Sequence, residues 1–289
     1  MRCLVTGING QLGFDCLREL ASRGYTDVKG IDINDADITN EAEIKKLILD
    51  FKPDVIFHNA AWTNVDGAEA NPDKVFAVNA LGTKYIAEAA KTINAKMIYI
   101  STDYVFDGKG TIPFEVNSPK NGLSVYGKTK SQGEDFVINT LSKYFIVRIS
   151  WVFGKNGKNF VRTMLSLAER GLTSLSVVAD QIGSVTYTKD LARLLVDMAE
   201  TDKFGIYHAT NEGFISWADF AEAIFAAKHI PMEVKHVSTE QYLQMNPNQA
   251  KRPLNSRMSK QSLIDAGFRP LPMWQDALAR FLKEIENED

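Results

Sequence analysis

The chain has 289 residues, 45% of them hydrophobic, which is enough to bury a large core in one big domain or in two unequal ones. A formal net charge of -3 and a pI near 5.9 exclude the basic surface that a nucleic-acid partner requires. The two cysteines and four histidines lack the short paired spacings of metal sites, which argues against a catalytic metal and against a disulfide.

A strand pattern begins at once in the N-terminal run Met1-Arg-Cys-Leu-Val-Thr-Gly7, and we therefore expect no signal peptide. No apolar stretch approaches the ~18 residues of a membrane-spanning helix. We therefore expect a cytoplasmic protein without a membrane partner. We also expect Cys3 and Cys16 to be buried as small hydrophobic side chains.

The first half of the chain alternates strand and helix patterns. Short apolar runs predict strands over residues 3–6, 28–33, 55–59, 97–101 and 145–149. Apolar residues at three- and four-residue intervals predict helices over residues 12–22, 41–51, 72–93 and 126–141. This alternation is typical of an α/β protein with a doubly wound parallel sheet, as in the Rossmann fold.

The pattern changes near residue 150 into helices separated by short strands. We predict a dinucleotide-binding domain over residues 1–150 and a smaller, mixed α/β region over residues 151–289. The boundary is soft, because a chain can leave a sheet and later return to it. The run Gly205-Ile-Tyr-His-Ala209 has the pattern of such a returning strand.

A glycine-rich run, Gly7-Ile-Asn-Gly-Gln-Leu-Gly13, follows the first predicted strand and opens the first predicted helix. Backbone amides and a helix N-terminus at this place can receive a pyrophosphate. The spacing is GxxGxxG rather than GxGxxG, and a glycine turn here can also serve the fold alone. We interpret Gly7, Gly10, Gln11, Leu12 and Gly13 as cofactor-binding residues.

The second predicted strand ends near Asp32, 19 residues after Gly13. A carboxylate there accepts hydrogen bonds from the adenine-side ribose and repels a 2′-phosphate, which favours NADH; a surface aspartate at a strand end is the alternative. Asp37 and Ile38 follow in the same loop, and we predict that they contact the adenine. The competing use of this segment is to cap the second helix.

The third predicted strand ends in His58-Asn-Ala-Ala61. Ligands of open parallel sheets gather at the carboxyl edge, where the small side chains of Ala60 and Ala61 let a cofactor pass close to the backbone. Small residues of this kind also simply pack against neighbours. We favour the cofactor interpretation.

A tyrosine and a lysine, Tyr126 and Lys130, lie four residues apart, so a helix places them on one face. A cation beside a phenol favours the phenolate, and we therefore expect Lys130 to lower the pKa of Tyr126 and make it a better proton donor. Upstream, an apolar strand ends in Ser101-Thr-Asp103. The pattern favours general-acid reduction of a ketone, although tyrosine-lysine pairs also occur on solvated helix faces.

Together, the glycine run, Asn59-Ala-Ala61, Ser101-Thr-Asp103 and the Tyr126 and Lys130 pair resemble the extended short-chain dehydrogenase/reductases. Longer strings along nearly the whole chain resemble one family among these, the dTDP-4-dehydrorhamnose reductases: Ala60-Ala-Trp-Thr-Asn-Val-Asp66, Ser101-Thr-Asp-Tyr-Val-Phe-Asp-Gly108, Arg148-Ile-Ser-Trp-Val-Phe-Gly154, Gly157-Lys-Asn-Phe160, Asp180-Gln-Ile-Gly183 and Arg252-Pro-Leu-Asn-Ser256. The resemblance implies reduction of dTDP-4-dehydro-L-rhamnose to dTDP-L-rhamnose with NADH or NADPH, the last step in making this activated sugar for cell-surface polysaccharides. The resemblance is compatible with either of two oligomeric states, a monomer or a homodimer.

The resemblance also implies roles for individual residues. Tyr126 matches the family's proton donor, Lys130 the lysine that binds the nicotinamide ribose and tunes the phenol, and Thr102 the hydroxyl that holds the substrate carbonyl. These roles agree with the chemistry, because hydride addition to a ketone builds negative charge on its oxygen, which a phenol can protonate.

Other positions resemble the family's sugar-nucleotide site. Asp103 and Trp151 match residues at the substrate, and the guanidinium of Arg252 suits a diphosphate. Thr63 and Val65 match the segment after the third strand, Thr63 on the cofactor side and Val65 on the substrate side. The alternatives are that Asp103 caps a turn, that Trp151 belongs to the core and that Arg252 is a solvated charge.

The chain departs from the family at two positions. Trp62 replaces the usual histidine or tyrosine, and Val185 replaces a proline, which affects loop rigidity more than chemistry. Some relatives bind a magnesium ion between subunits, but no motif in this sequence predicts such a site.

Three other functions compete with the reductase. A sugar-nucleotide dehydratase has a Thr-Asp-Glu strand end, whereas Tyr104 follows Asp103 here. An epimerase recycles its hydride without releasing oxidised cofactor. The regulatory subunit of methionine adenosyltransferase resembles this family but acts as a binding partner, and the strings that end at Asp66 and Gly154 favour the reductase over it.

Overall fold

The computed structural model describes residues 1–247 and 249–286. Its strands, in chain order, are β1 (Cys3–Thr6), β2 (Val28–Ile31), β3 (Val55–His58), β4 (Lys96–Thr102), β5 (Tyr144–Ile149), β6 (Val152–Phe153), β7 (Ser174–Val178), β8 (Ile182–Gly183), β9 (Thr186–Tyr187), β10 (Gly205–His208), β11 (Ile215–Ser216), β12 (Glu233–Val237) and β13 (Asn255–Ser256). Its α-helices are α1 (Gln11–Ser22), α2 (Glu41–Phe51), α3 (Val65–Glu69), α4 (Pro72–Phe76), α5 (Thr83–Thr92), α6 (Val125–Thr140), α7 (Phe160–Glu169), α8 (Thr188–Ala199), α9 (Trp217–Ala227), α10 (Thr239–Met245), α11 (Gln261–Asp265) and α12 (Trp274–Glu286).

Six parallel strands form the central sheet in the order β10-β5-β4-β3-β1-β2. The order runs outward in both directions from β1 and β3, which confirms the predicted doubly wound sheet. The returning strand is also confirmed, because Gly205–His208 pairs with residues 145–148 of β5. The division at residue 150 stays a prediction.

Alternate residues of the strands point into two apolar layers. Cys3 and Val5 pack with α1 and α8 on one face, whereas Leu4 packs with α2, α5 and α6 on the other. This two-sided burial explains why the strands read as continuous apolar runs. Cys3 and the α1 residue Cys16 are free and buried, as expected.

The predicted helix over residues 72–93 is not uniform. A π-helical turn, Ala77–Gly82, joins α4 to α5. The buried Asn79 in this turn accepts a hydrogen bond from the Trp62 backbone amide (2.8 Å) and donates to the Thr129 hydroxyl (3.3 Å). The π turn thus links the loop after β3 to α6, the helix that carries Tyr126.

The C-terminal elements form a second apolar core, in which aromatic side chains of β6, α9 and α12 pack together. Three small sheets support it: β11-β8-β13, β12-β7 and β6-β9. Because β6 follows β5 after only two residues, this region lies at the carboxyl end of the central sheet. Within residues 1–247 and 249–286, no helix is both long and apolar enough to cross a membrane.

Candidate active site

A cavity of about 690 Å³ opens at the carboxyl ends of β1 to β5. Its size suits a ligand of the dimensions of a cofactor plus part of a substrate. The cavity brings together all but one of the site residues expected from the sequence: Gly7, Gly10, Gln11, Leu12, Gly13, Asp32, Asp37, Ile38, Ala60, Ala61, Thr63, Val65, Thr102, Asp103, Tyr126, Lys130 and Trp151. Their individual roles stay predictions.

The glycine turn satisfies both a structural need and a binding need. Gly7 has a positive φ of 70°, and a Cβ on Gly13 would lie 2.1 Å from the Gly7 carbonyl oxygen, so the turn closes only with glycine. Gly10 is the N-cap of α1, and no side chain among the described residues caps that helix start. The first amides of α1 therefore face the cavity unblocked, an arrangement that fits a pyrophosphate.

The Asp32 carboxylate ties the glycine loop to the end of β2. One oxygen accepts the Asn9 amide (2.9 Å) and the other accepts the Ile33 amide (2.8 Å). Each carboxylate oxygen has a second lone-pair direction, which remains for a ribose hydroxyl. The structural and the cofactor interpretations of Asp32 are thus compatible.

The loop after Asp32 keeps Asp37 and Ile38 at the cavity. Asp37 accepts the amide and the hydroxyl of Thr39, each at 2.8 Å. The helix cap of α2 is Asn40, whose side chain accepts the Glu43 amide (3.3 Å). Asp37 therefore organises the loop, and Asn40 performs the capping that competed with the adenine contact.

Helix α6 presents Tyr126 and Lys130 to the cavity from its first turns. The Ser124 side chain caps the helix by accepting the Gly127 amide at 3.1 Å, which fixes the start and therefore the face on which both side chains lie. Lys130 is 3% exposed. Burial lowers the pKa of Lys130 to about 7, although the nearby Glu134 carboxylate opposes this shift.

The expected lowering of the Tyr126 pKa was wrong, because the net shift is upward. Burial raises the pKa of the Tyr126 phenol to about 12, because the surrounding protein penalises a phenolate. Hydrogen bonding with Thr102 acts in the opposite direction, and the Asp103 charge adds to the rise. At neutral pH the phenol therefore holds its proton firmly.

The end of β4 places a hydroxyl and a carboxyl group beside that phenol. The Thr102 hydroxyl donates to Asp103 Oδ1 (3.0 Å) and accepts the Tyr104 amide (3.2 Å), so Thr102 rather than Asp103 caps the short 3-10 turn over Asp103–Val105. The other Asp103 oxygen is buried without a hydrogen-bond partner among the described residues. Burial raises the pKa of Asp103 to about 6.

Two stacked indoles form one wall of the cavity. Trp151 has a positive φ of 50° and stacks on Trp217 with ring centroids 3.9 Å apart. Gly183 makes room, since a Cβ there would lie 3.1 Å from the Trp151 ring. Trp151 thus lines the cavity wall and also packs against the C-terminal core. Sequence reasoning missed Trp217, whose only local signal is an aromatic side chain directly after the helix cap Ser216.

Arg252 is the expected site residue that lies outside this cavity. It lines a second cavity of about 280 Å³, and Trp217 lines both. The Arg252 guanidinium donates to both Asp66 oxygens (3.2 and 3.0 Å) and to Gln249 (2.6 Å), so it is not a solvated charge. The two cavities share Trp217 as a lining residue.

One surface cluster contains side chains of metal-binding type. Asp219, Glu222 and His236 bring ligand atoms within 4.8 Å of one another, a grouping that the histidine spacing did not indicate. All three are exposed, and His236 Nε2 already bonds Glu222 at 2.8 Å. None of the three residues lines either of these cavities.

Comparisons with known proteins agree with this geometry. A family model described as RmlD substrate binding domain matches residues 1–287. The spore coat polysaccharide biosynthesis protein SpsK of Bacillus subtilis is 39% identical, covering 98% of this chain and 97% of that protein. The dTDP-4-dehydrorhamnose reductase of Aggregatibacter actinomycetemcomitans is 41% identical, covering 96% and 97%. A crystal structure of dTDP-4-dehydrorhamnose reductase from Bacillus anthracis in complex with NADP is 39% identical, with a TM-score of 0.93 over 98% of this chain and 99% of that chain.

Proposed function

Because this chain belongs to the RmlD substrate binding domain family, we propose that it reduces dTDP-4-dehydro-L-rhamnose to dTDP-L-rhamnose with NADH or NADPH. The observation that carries the proposal is the presence of Thr102, Tyr126 and Lys130 in the same cavity as the glycine turn and the uncapped start of α1. A proton donor, a carbonyl-binding hydroxyl and a pyrophosphate site then serve one reaction.

The cofactor supplies hydride to C4 of the sugar when it is bound. Tyr126 donates a proton to the oxygen that becomes negative, and its pKa of about 12 keeps this proton available throughout the neutral range. In the structure the Thr102 hydroxyl donates its one proton to Asp103, so it stabilises the same oxygen by rotating and donating that proton to the substrate instead. The contribution of the protein is thus to place the Tyr126 and Thr102 hydroxyls at the carbonyl oxygen and to supply one proton from Tyr126.

The remaining cavity residues hold the cofactor. The amides of the glycine turn bind the pyrophosphate, Asp32 accepts hydrogen bonds from the adenine-side ribose, and Lys130 donates to the nicotinamide ribose. The Asp32 carboxylate disfavours a 2′-phosphate, whereas the relative from B. anthracis was crystallised with NADP. Measuring both nucleotides is therefore part of the test.

The nucleotide end of the substrate extends past the indole wall into the second cavity. Trp217 lines both spaces, and Arg252 lines the second, where its planar cation suits a diphosphate. The Arg252 side chain is only 27% exposed and is oriented by Asp66, so it is held in place before the substrate arrives. Val65 and Asp103 line the sugar side.

The test mixes purified protein with dTDP-4-dehydro-L-rhamnose and either NADH or NADPH. We expect stoichiometric loss of reduced-nicotinamide absorbance and formation of dTDP-L-rhamnose, identified by mass spectrometry and by the configuration at C4. Turnover without net oxidation of the nucleotide indicates an epimerase instead. Absence of reduction with both nucleotides, in a protein that is folded and binds either of them, refutes the proposal.

A further inference from the structure

The Lys130 ammonium rests on an aromatic ring. Its Nζ lies 4.1 Å from the centroid of the Tyr99 ring. The side chain is 3% exposed, and its Nζ makes no hydrogen bond to another residue within the described chain. A desolvated ammonium against an aromatic face is held by the ring quadrupole. The Tyr99 ring is therefore the partner of the Lys130 ammonium, in the role that a carboxylate or carbonyl oxygen usually has.

Tyr99 is itself held rigidly. It is fully buried on β4, and its hydroxyl donates to the Lys130 carbonyl oxygen at 3.2 Å. A Cβ on Gly133 would lie 2.3 Å from this hydroxyl, so the glycine leaves the space that the phenol occupies. The His58 ring stacks against Tyr99 with centroids 5.7 Å apart. The ring face therefore has one orientation.

His58 supports the ring without adding charge. Its two nitrogens bond the hydroxyls of Thr6 (2.9 Å) and Thr83 (3.0 Å). Burial, helped by the nearby Lys130, lowers the pKa of His58 to about 3, so the imidazole is neutral at physiological pH. The Thr6 hydroxyl also accepts the Ala60 amide at 3.0 Å, which connects this support to the cavity wall.

The carboxylate that acts on the Lys130 pKa, Glu134, is committed to other partners. Glu134 follows Lys130 by one helical turn, but its oxygens accept the Ser101 hydroxyl (2.6 Å) and two guanidinium nitrogens of Arg148 (2.8 Å each). Among the described residues, the titratable and charged groups around Lys130 include Tyr126 and Glu134 on α6, His58 on β3, Tyr99 on β4, Asp103 after β4 and Arg148 on β5.

We propose that Tyr99 is a positioning residue for the reaction: its ring face holds the Lys130 ammonium at the cavity and keeps it charged. This inference rests on the proposed function of Lys130. The ring opposes the effect of burial, which lowers the pKa of Lys130 to about 7. Lys130 is a cation below its pKa, so loss of the ring lowers that pKa and moves the alkaline limb of activity towards lower pH.

The first experiment follows Lys130 directly, without turnover. Protein with 13Cε-labelled lysine is titrated by NMR, and the Lys130 signal is the one that disappears in Lys130→Arg. Five proteins are compared at position 99: the wild type with tyrosine, Tyr99→Phe, and three in which the phenylalanine ring carries one, two or three fluorines. The fluorines nearly preserve the shape of the ring but weaken the negative charge on its face. We expect Tyr99→Phe to leave the midpoint within about 0.3 pH unit and the full fluorination series to lower it stepwise by about one pH unit. A flat series overturns the proposal.

The second experiment measures kcat and KM against pH for the same proteins. We expect the alkaline limb of kcat to move down with the Lys130 midpoint in the fluorinated proteins, and Tyr99→Phe to retain the wild-type limb. Equal loss in Tyr99→Phe and the trifluorinated protein contradicts a ring-face role, because only the hydroxyl would then matter. Wild-type protein without reductase activity refutes the proposed function alone, since the NMR titration still tests the contact between Tyr99 and Lys130.

Discussion

The substitution Glu134→Gln removes one charge from the buried support of the site while it keeps the shape of the side chain. Glu134 is fully buried and receives two guanidinium bonds from Arg148, itself 2% exposed. The variant leaves the Arg148 cation buried without its counter-ion, and breaking a buried pair in this way costs about 3–5 kcal/mol of unfolding free energy. Because Glu134 raises the pKa of Lys130, the variant also lowers that pKa.

The neighbouring residue offers a matched control. Asp135→Asn removes an adjacent carboxylate that pairs with Lys120 at 2.5 Å, but the Asp135 side chain is 55% exposed. An exposed pair of this kind contributes less than about 1 kcal/mol. Urea unfolding followed by circular dichroism therefore separates the two variants clearly at neutral pH.

The pH dependence of the Glu134→Gln effect provides a second check. Burial opposes ionisation of Glu134, yet the bonds from Arg148 hold the pKa of Glu134 below its usual value. The stabilisation is therefore complete above the unfolded-state pKa of about 4.3 and is lost as pH falls through the lower, folded-state pKa. A loss below about 1 kcal/mol at pH ~7, or an equal loss when the pH is lowered below that folded-state pKa, refutes this account of the pair.

Three further predictions concern the cavity. Tyr126→Phe should lower kcat by about 10²–10⁴-fold while cofactor affinity, measured by nucleotide fluorescence, stays near wild type, because it removes the proton but little shape; wild-type-like turnover would exclude Tyr126 as the acid. Asp32→Ala should weaken NADH more than NADPH in the same binding assay, and an equal loss for both would show that the carboxylate does not sense the 2′ position. Gly13→Ala should weaken both nucleotides roughly tenfold or more, because its Cβ would lie 2.1 Å from the Gly7 carbonyl oxygen; unchanged affinity would show that the turn can adjust.

Much of the fold was readable from short segments. The strands of the first half were predicted to within a few residues, because strands buried on both faces appear as continuous apolar runs. The main error in strand length concerns β2, which ends at Ile31; the apolar Ile33 beyond it is 68% exposed and follows the turn at Asp32. The π turn over Ala77–Gly82 left no signal in the apolar periodicity.

The candidate site, like the fold, was predictable from the sequence only in part. A four-residue spacing places Tyr126 and Lys130 on one helix face whatever surrounds them, so their common location was predictable. The direction of the Tyr126 pKa shift was not predictable, because its largest cause is burial by segments distant in the sequence. Tyr99 offered only a weak signal, a hydroxyl-bearing side chain within an apolar strand.

The sequence by itself determined the elements that depend on residues a few positions apart: the individual strands and helices of the first half, the glycine turn before α1 and the shared face of Tyr126 and Lys130. Only the tertiary structure decided which groups meet across the chain, such as Trp151 with Trp217 and Arg252 with Asp66. The physical reason is that periodicity and turn chemistry act locally, whereas burial, stacking and charge pairing depend on segments that come together only when the chain folds.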